Sequence, residues 1–256
     1  MSHVGLLIGG VQKSGTTTLH YFVSQLQGVA PPTTKKELHF FDNESLDWSA
    51  PDYGRLHAPF ASLDPDWLWY ESTPITIYWP GALERVRAYN PDMKLIFIFR
   101  DPVRRAFSHW ARQWAQGRED HTFKQAILAE DERLNLGPGH PNWRRKSYRR
   151  RGRYGEQLER ALKIFDRDQM LLLTLDELMS DSASVLRRIA AFTGTRLPEQ
   201  PQLDLHLNAR LNIDVPSRLE DDDIAFLSER LRDDMALFAS LSNLDISTWL
   251  ACTGPC

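Results

Sequence analysis

The sequence predicts an α/β fold, in which helices flank a central parallel sheet, formed by a single domain over residues 1–256. Three apolar runs of strand length, at residues 4–8, 95–99 and 169–174, are typical of parallel strands buried on both faces. Amphipathic stretches with helical spacing alternate with these runs. A glycine-rich turn joins the first run to the first helix. No linker-like stretch divides the chain, so one large domain is expected.

The helices are predicted from apolar spacing and from the residues that begin and end them. The first follows the glycine-rich turn and is expected to end near Gly28. Asp101 can cap a later helix, with Pro102 in its first turn, and Thr122 is a plausible N-cap. Gly194 closes another helix. The remaining helices are predicted at residues 80–89, 102–117, 122–133, 158–165, 182–193 and 221–241.

Between these elements the predicted structure is less regular. Residues 37–40 alternate charged and apolar side chains, as in a short extended segment, and residues 67–74 are predicted as a strand that ends in a turn. Residues 43–66 are expected to be irregular and partly helical. Loops are expected at residues 136–143, at residues 195–218 and, as a mainly solvated basic loop, at residues 144–153.

Composition excludes several classes of protein. A hydrophobic content of 42% and a charged content of 25% are ordinary for a soluble globular protein, and the net charge of −3 argues against a general nucleic-acid binder. No apolar run approaches membrane-spanning length. The first strand begins so close to Met1 that neither a signal peptide nor an anchor is expected, which favours a cytoplasmic location. Cys252 and Cys256 either pair in the tail or stay free, and the sequence has no zinc-like cluster of cysteines and histidines.

The turn after the first strand carries the residues of an anion site. Gly9, Gly10 and Gly15 allow the backbone to turn sharply and to approach a ligand closely. The amides of the following helix and its dipole favour an anion, and Lys13 adds a positive charge. In a nucleoside-triphosphatase P-loop, G-x-x-x-x-G-K-S/T, the lysine follows the second glycine. Thr16 stands at that position here, and an ordinary glycine-rich turn is the alternative interpretation.

A second anion site is predicted at the end of the 95–99 strand. Arg100 lies at its carboxyl end, which is the edge where ligands bind in open α/β sheets. Arg104 and Ser108 follow at spacings of four residues. A guanidinium offers phosphate a planar fork, and the serine hydroxyl adds a donor. A surface ion pair is the alternative, but it does not require the whole Arg-Asp-Pro and serine pattern.

Together these two patterns resemble the donor-binding motifs of sulfotransferases that use 3′-phosphoadenosine 5′-phosphosulfate (PAPS). The resemblance implies the P-loop-like fold of that family and a reaction without a metal, because Lys13 takes the place of a kinase magnesium. It implies that Lys13 neutralises the leaving oxygen and that Arg100 and Ser108 hold the 3′ phosphate. The residues that it places around the 5′ phosphosulfate are Gln12, Lys13, Ser14, Gly15, Thr16, Thr17 and Thr18.

Glu37 begins a Glu-x-His-Phe-Phe-Asp motif that resembles a motif of glycan sulfotransferases of the heparan sulfate type. In that family the glutamate is the proposed general base, since an acceptor hydroxyl must lose its proton as it attacks sulfur. His39 is the alternative base, with an unperturbed pKa near ~6.5. Ser72 and Thr73 belong to a turn similar to one beside the active site of relatives, or they simply end a strand.

Two later segments resemble the family more loosely. An Arg-Gly-x-Tyr pattern implies that Arg151, Gly152 and Tyr154 lie near the nucleotide, although a solvated loop is the alternative for the surrounding arginines. In relatives a late loop closes over the adenine and the 3′ phosphate. The residues of this chain that could fill that role are Asn208, Arg210 and Arg218.

The expected function is in-line transfer of a sulfuryl group from PAPS to an acceptor hydroxyl, or less readily an amine, of a glycan, lipid or small metabolite. A P-loop kinase and a nonenzymatic nucleotide-binding protein are the alternatives, and the oligomeric state stays open. The expectation on which the others depend is that the turn around Lys13 and the pair Arg100 and Ser108 hold opposite ends of one doubly phosphorylated adenosine.

Overall fold

A computed structural model describes residues 3–203 and 214–253 of the chain. The chain divides into two compact units: residues 1–99 with 161–209, and residues 100–160 with 210–256. The two units are described separately below. The single domain over residues 1–256 stays a prediction.

The strands in chain order are β1 (Val4–Gly10), β2 (Val29–Ala30), β3 (Leu68–Glu71), β4 (Lys94–Phe99) and β5 (Met170–Thr174). The helices are α1 (Thr16–Ser24), α2 (Gly54–His57), α3 (Ala82–Tyr89), α4 (Pro102–Ala115), α5 (Phe123–Leu128), α6 (Glu130–Leu134), α7 (Pro141–Arg145), α8 (Tyr154–Ile164), α9 (Leu175–Ser180), α10 (Ser182–Thr193), α11 (Asp221–Ser242) and α12 (Leu250–Thr253). Short 3₁₀ turns lie at Ala58–Phe60, Arg150–Gly152 and Arg167–Gln169.

The first unit contains a five-stranded parallel sheet in the order β2-β3-β1-β4-β5. The predicted parallel sheet is therefore confirmed, with β1 at its centre. Leu7 of β1 lies opposite Glu71 of β3 on one side and Leu95 of β4 on the other. Because the strands are parallel, their carboxyl ends meet at one edge, where the glycine-rich turn and Glu71 both lie.

The core of this unit explains why β1 and β4 are almost entirely apolar. Leu6 and Ile8 of β1 and Ile96 of β4 are fully buried, and they pack in one cluster with the apolar faces of α1 and α10. Burying such side chains contributes about 1.5–3 kcal/mol each, which offsets the entropy cost of about 1–2 kcal/mol for fixing each backbone residue. The helix predicted at residues 182–193 matches α10, and Gly194 ends it in a left-handed conformation with φ of 74°.

The second unit is built around α4. The Asp101 carboxylate accepts a hydrogen bond of 2.7 Å from the Arg104 amide, and Pro102 occupies the first turn, as predicted. Thr122 caps α5, and Gln125 completes a capping box. Gly155 lies so close to α11 that a Cβ there would be 2.4 Å from the Asp234 carbonyl oxygen, so only glycine fits.

Several predicted boundaries are wrong. The first helix ends at Ser24 rather than near Gly28, and α3 begins at Ala82, after a left-handed Gly81, rather than at Pro80. The helix predicted at residues 122–133 is two helices, α5 and α6. The loop predicted at residues 136–143 runs into α7.

The arginine-rich stretch at residues 144–153 is only partly the solvated loop that was predicted. Arg145 and Arg153 are exposed, but Tyr148 and Arg151 are buried. The side chain of Glu130, which is also buried, accepts hydrogen bonds from the backbone amides of Arg149 and Arg150 in this stretch.

Among the described residues, no helix is long and apolar enough to cross a membrane.

Candidate active site

The turn between β1 and α1 depends on its glycines. A Cβ at Gly10 would lie 2.6 Å from Ile77 Cγ2, and Gly15 has a left-handed φ of 89° with Leu175 Cδ1 2.7 Å from where its Cβ would be. Other residues are strained at such a φ and would clash here. No side chain caps the start of α1 in the described structure. The start of α1 lies at the carboxyl edge of the sheet, where the helix dipole favours an anion.

Three polar side chains at this turn and the start of α1 are buried, whereas Thr17 is exposed. Ser14 is fully buried, and Thr16 and Thr18 are 6% and 5% exposed. Ser14 Oγ has no hydrogen-bond partner among the residues that the structure describes. A buried hydroxyl without a partner costs free energy, and a phosphate oxygen would satisfy it. The turn thus fits the 5′ group of a phosphorylated ligand.

Lys36 connects this turn to the predicted base. Its Nζ lies 3.5 Å from Thr16 Oγ1, 3.4 Å from Thr17 Oγ1 and 3.8 Å from Glu37 Oε1. The hydroxyls that are predicted to hold phosphate and the carboxylate that is predicted to take a proton therefore share one ammonium neighbour. The sequence analysis did not single out Lys36, and its position directly before the Glu-x-His motif is the only signal that could have found it.

Glu37, His39 and Asp42 form a chain of acid, imidazole and acid. His39 Nε2 lies 3.4 Å from Glu37 Oε2, and His39 Nδ1 lies 2.8 Å from Asp42 Oδ2. Asp42 is fully buried, whereas the side chains of Glu37 and His39 are 35% and 39% exposed. Asp42 was not predicted as a site residue, although it is the last residue of the motif and follows His39 by three positions.

The predicted extended segment at residues 37–40 is wrong. His39 has a left-handed φ of 55°, and no strand forms there. Its amide donates a hydrogen bond of 3.2 Å to Thr73 Oγ1, which in turn donates one of 2.7 Å to Glu71 Oε2. Thr73 and the buried Glu71 thus form a second layer behind the chain of three, and Glu71 was also missed by the sequence analysis.

The protonation states follow from these contacts. Burial raises the pKa of Glu37, but the hydrogen bond from His39 and the charge of Lys36 outweigh burial, so the net shift is downward and Glu37 is ionised at neutral pH. Hydrogen bonds to Asp42 and Glu37 raise the pKa of His39 to about 9, against the effect of burial. His39 is therefore an imidazolium between two carboxylates.

The pKa of Glu71, in the second layer, is shifted in the opposite direction to the pKa of Glu37. Burial raises the pKa of Glu71 to about 8, aided by the charge of Asp42 and opposed by the hydrogen bond from Thr73. Glu71 is therefore mainly a neutral acid at pH 7.

Among the described residues, no group of three or more histidine, cysteine, aspartate or glutamate side chains is arranged to hold a metal ion.

The predicted 3′-phosphate residues lie in the second unit. Arg100 directly follows β4 in the chain and is partly buried, and Ser108 lies in the second turn of α4. The Tyr154 hydroxyl donates a hydrogen bond of 2.9 Å to the Arg100 carbonyl oxygen, so Tyr154 holds the backbone at Arg100. That these residues and the turn around Lys13 hold one nucleotide stays a prediction.

The looser assignments also stay predictions. Arg151 is 2% exposed, and its guanidinium donates to Ser147 Oγ at 2.8 Å and to the Arg144 carbonyl oxygen. Gly152 packs against Pro102, with 3.0 Å between the position of a Cβ and the proline ring. Arg218 is exposed and Cys252 is an exposed free thiol. The other predicted residues of this group lie outside the described residues: Asn208, Arg210 and Cys256.

Comparison with known proteins points in one direction. A family model described as sulfotransferase domain matches residues 5–212. Heparan sulfate glucosamine 3-O-sulfotransferase 6 from Homo sapiens is 31% identical over 194 residues, which cover 74% of this chain and 52% of that protein. Bifunctional heparan sulfate N-deacetylase/N-sulfotransferase 3 from Homo sapiens is 28% identical over 200 residues, covering 73% and 22%. The chain spans about half the length of the first of these relatives.

Solved structures agree with the family match. A sulfotransferase from Alicyclobacillus acidocaldarius superposes with a TM-score of 0.82 at 25% identity, covering 97% of this chain and 99% of that one. A mouse sulfotransferase complexed with PAP, 3′-phosphoadenosine 5′-phosphate, superposes with a TM-score of 0.51 at 13% identity, covering 96% and 87%, and shows a shared fold alone.

Proposed function

Because the chain belongs to the sulfotransferase domain family, we propose that it transfers a sulfuryl group from PAPS to an acceptor hydroxyl. The observation that carries the proposal is the shared neighbour Lys36, which lies within 3.8 Å of both the turn hydroxyls and the Glu37 carboxylate. A donor phosphosulfate in the turn would therefore lie close to a group that can deprotonate an acceptor. Such closeness is what an in-line displacement requires.

The proposed step is a direct displacement at sulfur. The acceptor hydroxyl gives its proton to a Glu37 carboxylate oxygen while its oxygen forms a bond to sulfur. The bond between sulfur and the bridging oxygen breaks, and that oxygen leaves on the 5′ phosphate of PAP with the electron pair. Lys13 compensates the charge that develops on the leaving oxygen, and fixed charge of this kind is commonly the largest catalytic contribution. Lys13 supplies at this position the charge that magnesium supplies in a kinase.

The site favours Glu37 over His39 as the base. Both ring nitrogens of His39 face carboxylates, and its pKa is raised to about 9 by those hydrogen bonds. An imidazolium has no lone pair to accept a proton at neutral pH. We assign His39 to orienting Glu37, and Asp42 to orienting His39.

The acceptor that we propose is a glycan hydroxyl. The Glu37 motif and the named activity of the human 3-O-sulfotransferase relative support this choice. The human N-sulfotransferase relative keeps a glucosamine amine as the second candidate. Heparan-type oligosaccharides with free 3-hydroxyls or free amines would separate the two, because a radiolabelled sulfuryl group would appear on only one set.

Calorimetry would test the donor. PAP should bind without added magnesium, whereas ATP with magnesium should bind at least about tenfold more weakly, and Lys13→Ala should weaken PAP binding and abolish transfer. Tight binding of ATP with magnesium and none of PAP would favour the kinase alternative. Binding of PAP without transfer to any acceptor would favour a nonenzymatic nucleotide-binding protein.

We also propose that the protein is located in the cytoplasm, and cell fractionation would test this location.

A further inference from the structure

Lys36 has an unusual set of neighbours for a lysine with a mostly buried side chain. Its side chain is only 19% exposed, and two of its three polar contacts are threonine hydroxyls, which carry no charge. The third contact, Glu37 Oε1, is 3.8 Å away, much longer than the roughly 2.7–2.9 Å of a charge-assisted hydrogen bond. The ammonium is therefore only weakly neutralised in this structure.

The charges farther from Lys36 do not change this conclusion. Burial lowers the pKa of Lys36 despite the opposing effects of Glu37 and Glu71, and Glu71 is itself mainly neutral at pH 7. Burial of His20, together with the charge of Lys36, lowers the pKa of His20 to about 4, so His20 is neutral and adds no second cation. An ammonium held at a cost among hydroxyls is a place where an anion gains free energy by binding.

The turn beside Lys36 contains a buried hydroxyl that a bound anion would satisfy. Ser14 Oγ is fully buried and has no partner within the described ranges. It belongs to the same turn as the two threonines that Lys36 contacts. A phosphosulfate that accepted from Ser14 and the threonines would lie within reach of the Lys36 ammonium.

We propose that Lys36 is a second donor-binding cation, which contacts the 5′ phosphosulfate together with Lys13. The proposal rests on the proposed sulfuryl transfer and adds a residue to it. In the ligand-free protein, Lys36 also keeps Glu37 ionised. One side chain thus serves both the donor and the base.

Lys36→Met tests the proposal, because it keeps the length of the side chain and removes the charge. The affinity for PAP should fall about 10- to 100-fold, as expected for the loss of one charge-assisted contact to phosphate. Lys36→Arg should keep most of the affinity. The adjacent Lys35 is exposed, so Lys35→Met is the matched control and should stay within about twofold of wild type.

Two further readouts distinguish donor binding from a structural role. Removing a weakly neutralised buried charge should leave the melting temperature unchanged or raise it. Glu37 would keep His39 as a cationic neighbour and Asp42 as an anionic one but lose Lys36, so its pKa should rise and the acid limb of kcat/KM should move to higher pH. A structural role predicts instead a lower melting temperature with an unmoved acid limb.

The outcomes separate the two proposals. If wild type binds PAP and Lys13→Ala weakens it while Lys36→Met binds like wild type, the role of Lys36 is wrong and the proposed function stands. If wild type itself binds neither PAP nor PAPS, the proposed function fails. Should Lys36→Met not fold, Lys36→Arg and Lys36→Gln give the same comparison, because only the first keeps the charge.

Discussion

Glu37 in the first unit and Glu119 in the second are both carboxylates beside cations, yet their surroundings differ in kind. Glu119 has a fully buried side chain and accepts from Arg133 Nη1 at 2.9 Å, from the Tyr148 hydroxyl at 2.5 Å and from two backbone amides, with Lys146 Nζ at 3.5 Å. Glu37 is 35% exposed and has cationic neighbours only at 3.4 and 3.8 Å.

The difference separates a carboxylate whose oxygens are filled with donors from one that is partly open to solvent. Burial raises the pKa of Glu119, but the Tyr148 and Arg133 hydrogen bonds outweigh it and lower the pKa to about 2, and its oxygens are filled with donors. Glu37 is ionised but has room for another hydrogen-bond donor, such as an acceptor hydroxyl.

Glu37→Gln should produce the largest effect of these variants, a loss of turnover. Loss of a general base is expected to lower turnover by about 10²- to 10⁴-fold, because glutamine cannot accept the acceptor proton. Transfer of radiolabelled sulfuryl groups from PAPS to the oligosaccharides measures it. PAP affinity should be unchanged or tighter, since Lys36 would lose its competing carboxylate. Full activity of this variant would remove Glu37 from the mechanism.

Much of the fold was predictable because it depends on local patterns. The apolar runs gave β1, β4 and β5, and the caps at Asp101, Thr122 and Gly194 were identified from residue type. The break between α5 and α6 was missed, since the residues around Ala129 carry neither proline nor glycine to mark it. Residue type located these three helix ends, but it misplaced the end of α1 and the start of α3.

Site residues could be predicted from the sequence only where they belong to a motif. Lys13 and Glu37 are predicted from their motifs, and their roles stay predictions, but the contacts around them in the structure are long-range. Lys36 meets Thr16 across 20 residues, and His39 meets Thr73 across 34. No local pattern encodes such pairings, and the left-handed backbone of His39 has no sequence signal, because only a few per cent of non-glycine residues adopt it.

Glu119→Gln should affect stability rather than catalysis. It leaves Arg133 and Lys146, whose side chains are 14% and 15% exposed, without a buried counter-charge. The free energy of unfolding should fall by about 2–4 kcal/mol, measured by urea titration with circular dichroism. Asp120→Asn is the matched control, because Asp120 faces the same two cations but is 83% exposed, and it should cost about 0.5 kcal/mol or less. Equal losses in the two variants would show that burial does not distinguish these carboxylates.

The pH dependence of stability should show the smallest of the three effects, through His39. Its pKa is raised to about 9 in the folded protein, so its contribution to stability is complete below about pH 6.5 and is lost as the pH rises through about 9. With a side chain that is 39% exposed, solvent screening limits the contribution to about 1 kcal/mol. His39→Asn is the suitable variant, because asparagine tolerates the left-handed backbone and does not titrate.

The measurement is the difference in unfolding free energy between wild type and His39→Asn from pH 6 to pH 10. Burial raises the pKa of Glu71 to about 8, so Glu71 also lowers the unfolding free energy as the pH rises from 6 to about 8. This change occurs in both proteins and largely cancels in the difference. Wild type should be the more stable protein at pH 6, and the difference should shrink from about pH 6.5 and be lost by about pH 9. A difference that stayed constant would mean that His39 is not an imidazolium between Glu37 and Asp42, and the argument that leaves Glu37 as the base would lose its electrostatic support.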